Sequence, residues 1–363
     1  MPALSALFNV APDAVLTAAG LLIGSLFGVV LSTTNYCVMG AVSDWRTLGS
    51  LGRLGAVAIA AATAIAGAQL LDFFGVIDLS KSIYLGPHIN WAGAVGGGLL
   101  FGFGMVYAGG CPSRALVRAG GGDLRAALAL AVLSIAAFAT ISGVLGSFRV
   151  SIDAKSAMDV KTFAAQSQSL SALIGSAIGL SGGLARGLAA AAIVLPLLYF
   201  AVWRAHVLAH PRNLSGGIAV GALAVAGWLA TGLARDEFAS NPVQLVSLSF
   251  VRPVADAIDW IERSTALGLP GFGAASVFGV LAGGCFANWW SGNLRVSGFA
   301  DVRDASRHIG GAIAMGIGGV LALGCSIGQG VAGISTLSVQ SLLACAAIIA
   351  GAVLGLQRLE RRL

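Results

Sequence analysis

Charged side chains are scarce in this chain: Asp, Glu, Lys and Arg make up 10% of its 363 residues, where a soluble domain carries about 25%. With 57% hydrophobic residues and a mean hydropathy of +0.89, that scarcity excludes a soluble protein. It implies an all-α polytopic membrane protein in contact with membrane lipid, and nucleic acid is not among the expected partners. A Walker-type phosphate loop is missing, so the chain is not itself an ATPase. Met1–Leu16 lacks Lys and Arg and contains Asp13, which argues against a cleaved leader. The five cysteines, at 37, 111, 285, 325 and 345, are odd in number and form no C-x-x-C pair. A disulfide framework or zinc site is therefore not expected from spacing, and no other metal or cofactor is implied.

Small residues are abundant instead. Fifty-two glycines, with many alanines, predict close helix packing of the kind bilayer interfaces prefer, so Gly-x-x-x-Gly spacings carry no chemistry here. Nine apolar runs predict spans near 14–34, 51–74, 90–108, 122–147, 184–203, 214–232, 270–287, 305–323 and 338–357. Short helices between them, at 37–46, 113–120, 169–180, 253–265 and 329–336, are candidates for re-entry into the membrane. With the N-terminus outside, thirteen of the 21 basic residues fall on inner loops and the C-terminus, among them Arg46, Arg53, Arg204, Arg295, Arg303 and Arg307. That bias predicts an N-out, C-in orientation. Asp72, near the end of the second run, is the best candidate for an acid inside the membrane. Asp44 and Asp259, each beside a tryptophan, read as anchors of interfacial helices, and His206 and His210 as surface residues.

The count of spans implies an inverted repeat within a single membrane domain, 1–363. Residues 14–147 form the first half, 148–203 a connecting loop and span, and 214–357 the second half, upside down because the offset of five spans is odd. Asn35-Tyr36-Cys37 aligns with Ser249-Phe250-Val251, and Cys37 precedes Cys111 by the same 74 residues that separate Val251 from Cys325. Three of the four equivalent positions are thus cysteine.

Two glycine-rich loops carry the chemistry: Gly109-Gly110-Cys111-Pro112-Ser113-Arg114 and Gly324-Cys325-Ser326-Ile327-Gly328-Gln329-Gly330. Each interrupts an apolar run, and irregular backbone at membrane depth is tolerated only where protein or a cavity covers it. Pro112 suits the first position of a helix. Free amides after Cys111 and Cys325 would then face an anion at two helix starts. Glycines at 328 and 330 would permit its close approach. A thiol is a soft, weak donor that holds an anion without trapping it, as passage requires. Cys345 reads as a small core residue, and Cys285 as packing rather than an exit contact.

With these motifs the chain resembles the YeeE/YedE, or sulphur-transport, family of bacterial inner-membrane proteins, whose best-understood members take up thiosulfate. The resemblance rests on Asn35-Tyr36-Cys37, on Gly110-Cys111-Pro112-Ser113, and above all on the run from Gly324 to Gly330 with Val331-Ala332-Gly333-Ile334-Ser335 after it. It implies an hourglass of inverted halves plugged by loops from both sides, and a relay of Cys37, Cys111 and Cys325 that passes the anion inward. It also implies a small cytoplasmic sulfur-carrier partner of the TusA type, for which the basic inner loops are a docking surface. Two other functions fit the same residues: a membrane thiol enzyme exchanging persulfide or disulfide with a carrier, and a transporter of a selenium or sulfite species. An enzyme needs a resolving cysteine or a histidine near its nucleophile, and the sequence puts neither beside Cys111 or Cys325. Inward passage of a dianion against 100 mV costs about 4.6 kcal/mol, and no coupling-ion site is evident.

Overall fold

A computed structural model describes residues 12–160, 167–178, 182–235, 243–299 and 301–361. Met1–Ala11 and parts of the polar stretches 148–168 and 233–265 lie outside the described residues. The protein is an all-α polytopic membrane protein. Its spanning helices are α1 (Pro12–Thr34), α3 (Gly52–Phe73), α4 (Gly98–Tyr107, continued backwards by a helical turn over Gly93–Gly97), α6 (Leu124–Ile141), α9 (Gly182–Tyr199), α10 (Pro211–Leu233), α12 (Phe272–Trp290) and α14 (Val339–Glu360), with α13 (Val302–Leu321) beside them. Between them lie the shorter α2 (Val38–Ser43), α5 (Pro112–Gly120), α7 (Gly146–Ser156), α8 (Leu170–Ile178) and α11 (Arg252–Leu267). One small antiparallel pair, β1 (His88–Asn90) with β2 (Ala157–Asp159), sets His88 opposite Asp159.

All nine expected runs are helices, but eight segments of the described residues are long and apolar enough to cross a membrane. The difference is α13, whose first turns carry Arg303, Asp304 and Arg307. Asp72 lies at the end of the second span, with its side chain buried. It sits in the last turn of α3, where its carboxylate accepts the Leu79 N–H at 2.9 Å and pairs with Arg186. It anchors the chain as it leaves the helix.

Local signals explain where helices start. Asp123, Asp301 and Ser338 are the N-caps of α6, α13 and α14, accepting from the N–H groups of Arg125, Asp304 and Ser341. Packing then follows small residues. α1 lies against α12, and α10 against α3; α4 lies against both α13 and α14, and α6 against α13. At the α1–α12 contact the backbones meet almost directly: a Cβ on Gly283 would stand 2.0 Å from the Ser25 carbonyl oxygen, and one on Gly24 2.2 Å from that of Ser276. Bilayer helices gain no hydrophobic advantage from meeting each other, so van der Waals contact at this distance is what joins them. The largest buried cluster runs from Phe27 through Phe101, Met105 and Phe250 and contains Cys37, Cys111 and Cys325.

Gly283→Ala is expected to destabilise the protein by about 1–3 kcal/mol, because neither backbone can retreat without unpacking its helix. Gly187→Ala, on α9 with nothing near the added methyl, is expected to be neutral or stabilising by up to about 1 kcal/mol. Thermal unfolding in detergent measures both.

Candidate functional site

Three interruptions of the helical backbone meet inside this cluster, and each ends with a cysteine. In every case the residue two positions before the thiol lies in the left-handed region: Asn35 (φ 55°), Gly109 (φ 73°) and Leu323 (φ 57°). Glycine and asparagine adopt that conformation readily, whereas leucine does so against its Cβ. The turn reverses the chain out of one helix, and the cysteine opens the next segment with extended backbone at Cys37 and Cys111.

The broken ends are satisfied by side chains from other segments. Arg114 Nη1 donates to the Leu31 carbonyl in the last turns of α1 at 2.7 Å, and its Nη2 to Asn35 Oδ1 at 2.8 Å. Arg118 Nη1 donates to the Gly109 carbonyl at 2.7 Å, while its Nε and Nη2 hold the Asp123 carboxylate at 3.0 and 2.6 Å. Gln329 Nε2 donates to the Ala322 carbonyl at the end of α13. Freed carbonyls at a helix C-terminus attract cations and donors, and here they receive them. Arg114 and Gln329, expected at the substrate, also brace the frame through these groups.

The thiols serve the starts of the following segments. Cys37 Sγ accepts the Gly40 N–H at 3.4 Å and Cys325 Sγ the Gly328 N–H at 3.3 Å, the place a serine or aspartate usually fills. Cys111 Sγ lies 3.3 Å from Ser113 Oγ. The N–H groups of Ile327 and Phe250 are also within reach of the Cys325 sulfur. All three thiols are enclosed, with exposures of 9%, 1% and 0% for Cys37, Cys111 and Cys325.

The structure brings Cys37 next to Cys111, and Ser326 next to Cys111 from the loop of Cys325. Sequence spacing could not supply this second thiol, because 74 residues separate the pair. Pro112 occupies the first turn of α5 as expected from its missing N–H. Gly328 is tight: an added Cβ would stand 2.6 Å from Ser249 Oγ and 3.4 Å from Tyr84 Oη. Gly330 is not, since its Cβ would make only an ordinary 3.5 Å contact with Cys345 Sγ. The fourth equivalent position, Val251, is buried against Gly319. Cys285 is exposed on α12, away from this buried cluster. Among the described residues no group of His, Cys, Asp and Glu could hold a metal ion.

A cavity and a narrow cleft are present, the second lined in part by Cys37. The cavity, of about 360 Å³, is lined by Asp72, Asp78, Lys81, Arg186, Arg235 and Leu245, among others. Beneath it Leu245 joins Tyr84 and Trp228 in one buried cluster, and Trp228 Nε1 donates to Ser335 Oγ at 2.9 Å. The narrow cleft, elsewhere, is lined by Thr34, Tyr36, Cys37, Arg53, Arg212 and Asn213. Neither opening was found from the sequence, because its basic residues come from helices far apart in the chain.

A family model described as sulphur transport matches residues 33–354. The thiosulfate transporter TsuA of Escherichia coli K12 is 31% identical over 112 residues, covering 31% of this chain and 30% of that protein. TsuA of Spirochaeta thermophila is 32% identical over 124 residues, or 34% of this chain and 36% of that protein. The probable transporter YedE of Escherichia coli K12 is 36% identical over 101 residues, or 27% of this chain and 23% of that one. The chain thus spans about a third of the length of the thiosulfate transporters it matches.

Burial raises the Asp123 carboxyl, but hydrogen bonds and charge from Arg125 and Arg118 outweigh it and hold the group below the usual carboxylate range. A lowered folded-state value stabilises the protein above the ordinary carboxyl pKa of about 3.9 and loses that contribution as pH falls through it. Asp123→Asn is therefore expected to lower Tm at pH 7, and the gap to wild type should close on acidification below about pH 4. A gap that stays constant with pH would show that the Arg118 clamp does not depend on this charge.

Proposed function

The chain belongs to the sulphur-transport family, and from that premise we propose that it carries thiosulfate, or a closely related sulfur oxyanion, inward across the cytoplasmic membrane. The single observation that carries this reading is the set of three enclosed thiols at three helix breaks, with Cys37 and Cys111 side by side and Ser326 joining them to the loop of Cys325. Two relatives named thiosulfate transporters support the choice of anion.

The anion enters from the cavity lined by Lys81, Arg186 and Arg235 and passes Cys325, Cys111 and Cys37 in turn. It leaves by the cleft of Arg53 and Arg212, which Cys37 itself lines. At the cavity Lys81 and Arg186 are paired with Asp78 and Asp72, and the excess charge of Arg235 leaves it net positive, which raises the local concentration of a dianion. Inside, thiols and backbone amides take over. Their bonds are weak enough that binding does not become arrest. Gly328, Ser113 and Pro112 shape this passage, whereas Arg114 and Gln329 hold its walls. Gly330 needs no closeness to the ligand.

The paired packing of α1 on α12 with α10 on α3, and of α4 on α14 with α13 on α6, exchanges when 14–147 is swapped with 214–357. That supports an inverted repeat about the thiols. The bias of basic residues supports an outside N-terminus. The inner loops with Arg204, Arg295, Arg303 and Arg307 would receive a TusA-type carrier.

A second reading, a thiol enzyme, is favoured by the nearness of Cys37 and Cys111, since one could resolve a mixed disulfide on the other. Serine substitution separates the two. Serine fills the capping position at Cys37 and Cys325 at least as well as cysteine, so those folds should survive. Uptake of labelled thiosulfate into proteoliposomes is expected to fall more than about 10-fold for Cys111→Ser and Cys325→Ser, because a hydroxyl lacks the soft sulfur. Cys345→Ala should transport normally. Wild-type uptake by Cys111→Ser/Cys325→Ser would refute the relay. A Cys37–Cys111 disulfide that accumulates with turnover would favour the enzyme.

A further inference from the structure

Around the thiols, three buried polar atoms have no hydrogen-bond partner: Tyr36 Oη, Ser326 Oγ and Gln329 Oε1. A buried hydroxyl left unpaired keeps the whole cost of its lost hydration, so its retention points to a partner that comes and goes. The three atoms differ in what they offer. Gln329 Oε1 is an acceptor held near Gly333, 2.9 Å from where a Cβ there would stand, and it repels an anion. Tyr36 and Ser326 carry O–H groups free to donate.

These two hydroxyls converge on one thiol. Ser326 lies beside the Cys111 side chain without a well-aligned hydrogen bond to it, and the Tyr36 phenol lies near Cys111, Cys37 and Cys345. Tyr36 and Cys37 together line the narrow cleft beside Arg53 and Arg212, with the phenol oxygen itself buried behind it. Packing does not explain the phenol oxygen. Phe250, which aligns with Tyr36 in the second half, is fully buried and stacks on Phe27 at 5.2 Å with no hydroxyl. Ser113, by contrast, already has Cys111 as its partner.

We propose that Tyr36 Oη and Ser326 Oγ form a subsite for the oxygen end of a tetrahedral sulfur oxyanion beside Cys111, a proposal that rests on the transport reading above. The chemistry divides by hardness. Hydroxyls are strong, short-range donors suited to sulfonate-type oxygens, and thiols are weak donors suited to a terminal sulfur. An anion with both ends is oriented by such a site. An anion stripped of water there must regain donors from the protein, and the guanidinium of Arg114 is occupied by Leu31 and Asn35. Neutral hydroxyls supply those donors without adding a charge that would trap the ion.

Tyr36→Phe and Ser326→Ala test the subsite through two readouts that move in opposite directions. Without thiosulfate, each variant should have a Tm equal to or above wild type, because an unpaired buried hydroxyl has been removed. With labelled thiosulfate in proteoliposomes, each should raise KM about 10-fold while Vmax stays within about 2-fold, and the Tm rise on adding thiosulfate should shrink accordingly. Ser326→Thr, which keeps the hydroxyl, should retain a KM near wild type. A wild-type KM in both Tyr36→Phe and Ser326→Ala would overturn the subsite, as would a lower ligand-free Tm, which would mean that the hydroxyls bond the protein. The relay stands or falls separately: normal uptake by the Cys111→Ser/Cys325→Ser variant with a raised KM in Tyr36→Phe would remove the relay and keep the subsite.

Discussion

A helix interrupted inside a membrane has carbonyls that water cannot reach, and the rest of this structure follows from how those carbonyls are met. Three long side chains meet them. Arg114 serves the end of α1, Arg118 the Gly109 turn after α4, and Gln329 the end of α13. Two of the three are charged, and both are already spoken for: Arg114 by backbone and Asn35, Arg118 by backbone and Asp123. Breaking the helices therefore occupies Arg114 and Arg118. What remains at the centre is neutral, made of sulfur, hydroxyl and amide groups. A neutral centre between basic openings suits an anion that must be attracted, passed on and released.

Packing supplies the other half of the constraint. The loops can be irregular only because the helices around them are rigid and close, and glycines at the α1–α12 contact give that closeness. Backbone-to-backbone approach there places Phe27 against Phe250, directly before Val251 at the fourth equivalent position. The thiols inherit their fixed positions from this frame. Cys37 and Cys325 also cap their own following segments, so the proposed relay would use atoms that already have a structural role.

Much of this was legible in the sequence. Hydropathy alone placed a helix in each of the nine expected runs, with ends off by up to eight residues at the third and six at the fourth, because runs of Leu, Ile, Val and Ala leave little choice in lipid. Gly109-Gly110-Cys111-Pro112 announced its turn and its helix start by residue type. Leu323 announced nothing, since a leucine in the left-handed region is imposed by tertiary structure rather than propensity. The framing contacts of Arg114 and Gln329 escaped the sequence for a related reason. Their partners, Leu31, Asn35 and Ala322, are set by three-dimensional contact, and a free cation and a capping one look alike in a string of letters. The pairing of Cys37 with Cys111 and the orphan hydroxyls of Tyr36 and Ser326 likewise exist only in the folded chain.

The central claim is that the anion touches sulfur in the middle of the protein. Selenosulfate places a heavy atom at the terminal position of the same tetrahedral anion, so anomalous diffraction from crystals soaked in it locates that end directly. We expect selenium peaks within contact distance of the sulfurs of Cys325, Cys111 or Cys37, displaced when those residues are serine. Peaks confined to the openings near Arg186 and Arg53, with none beside a thiol and no change in the serine variants, would contradict the account.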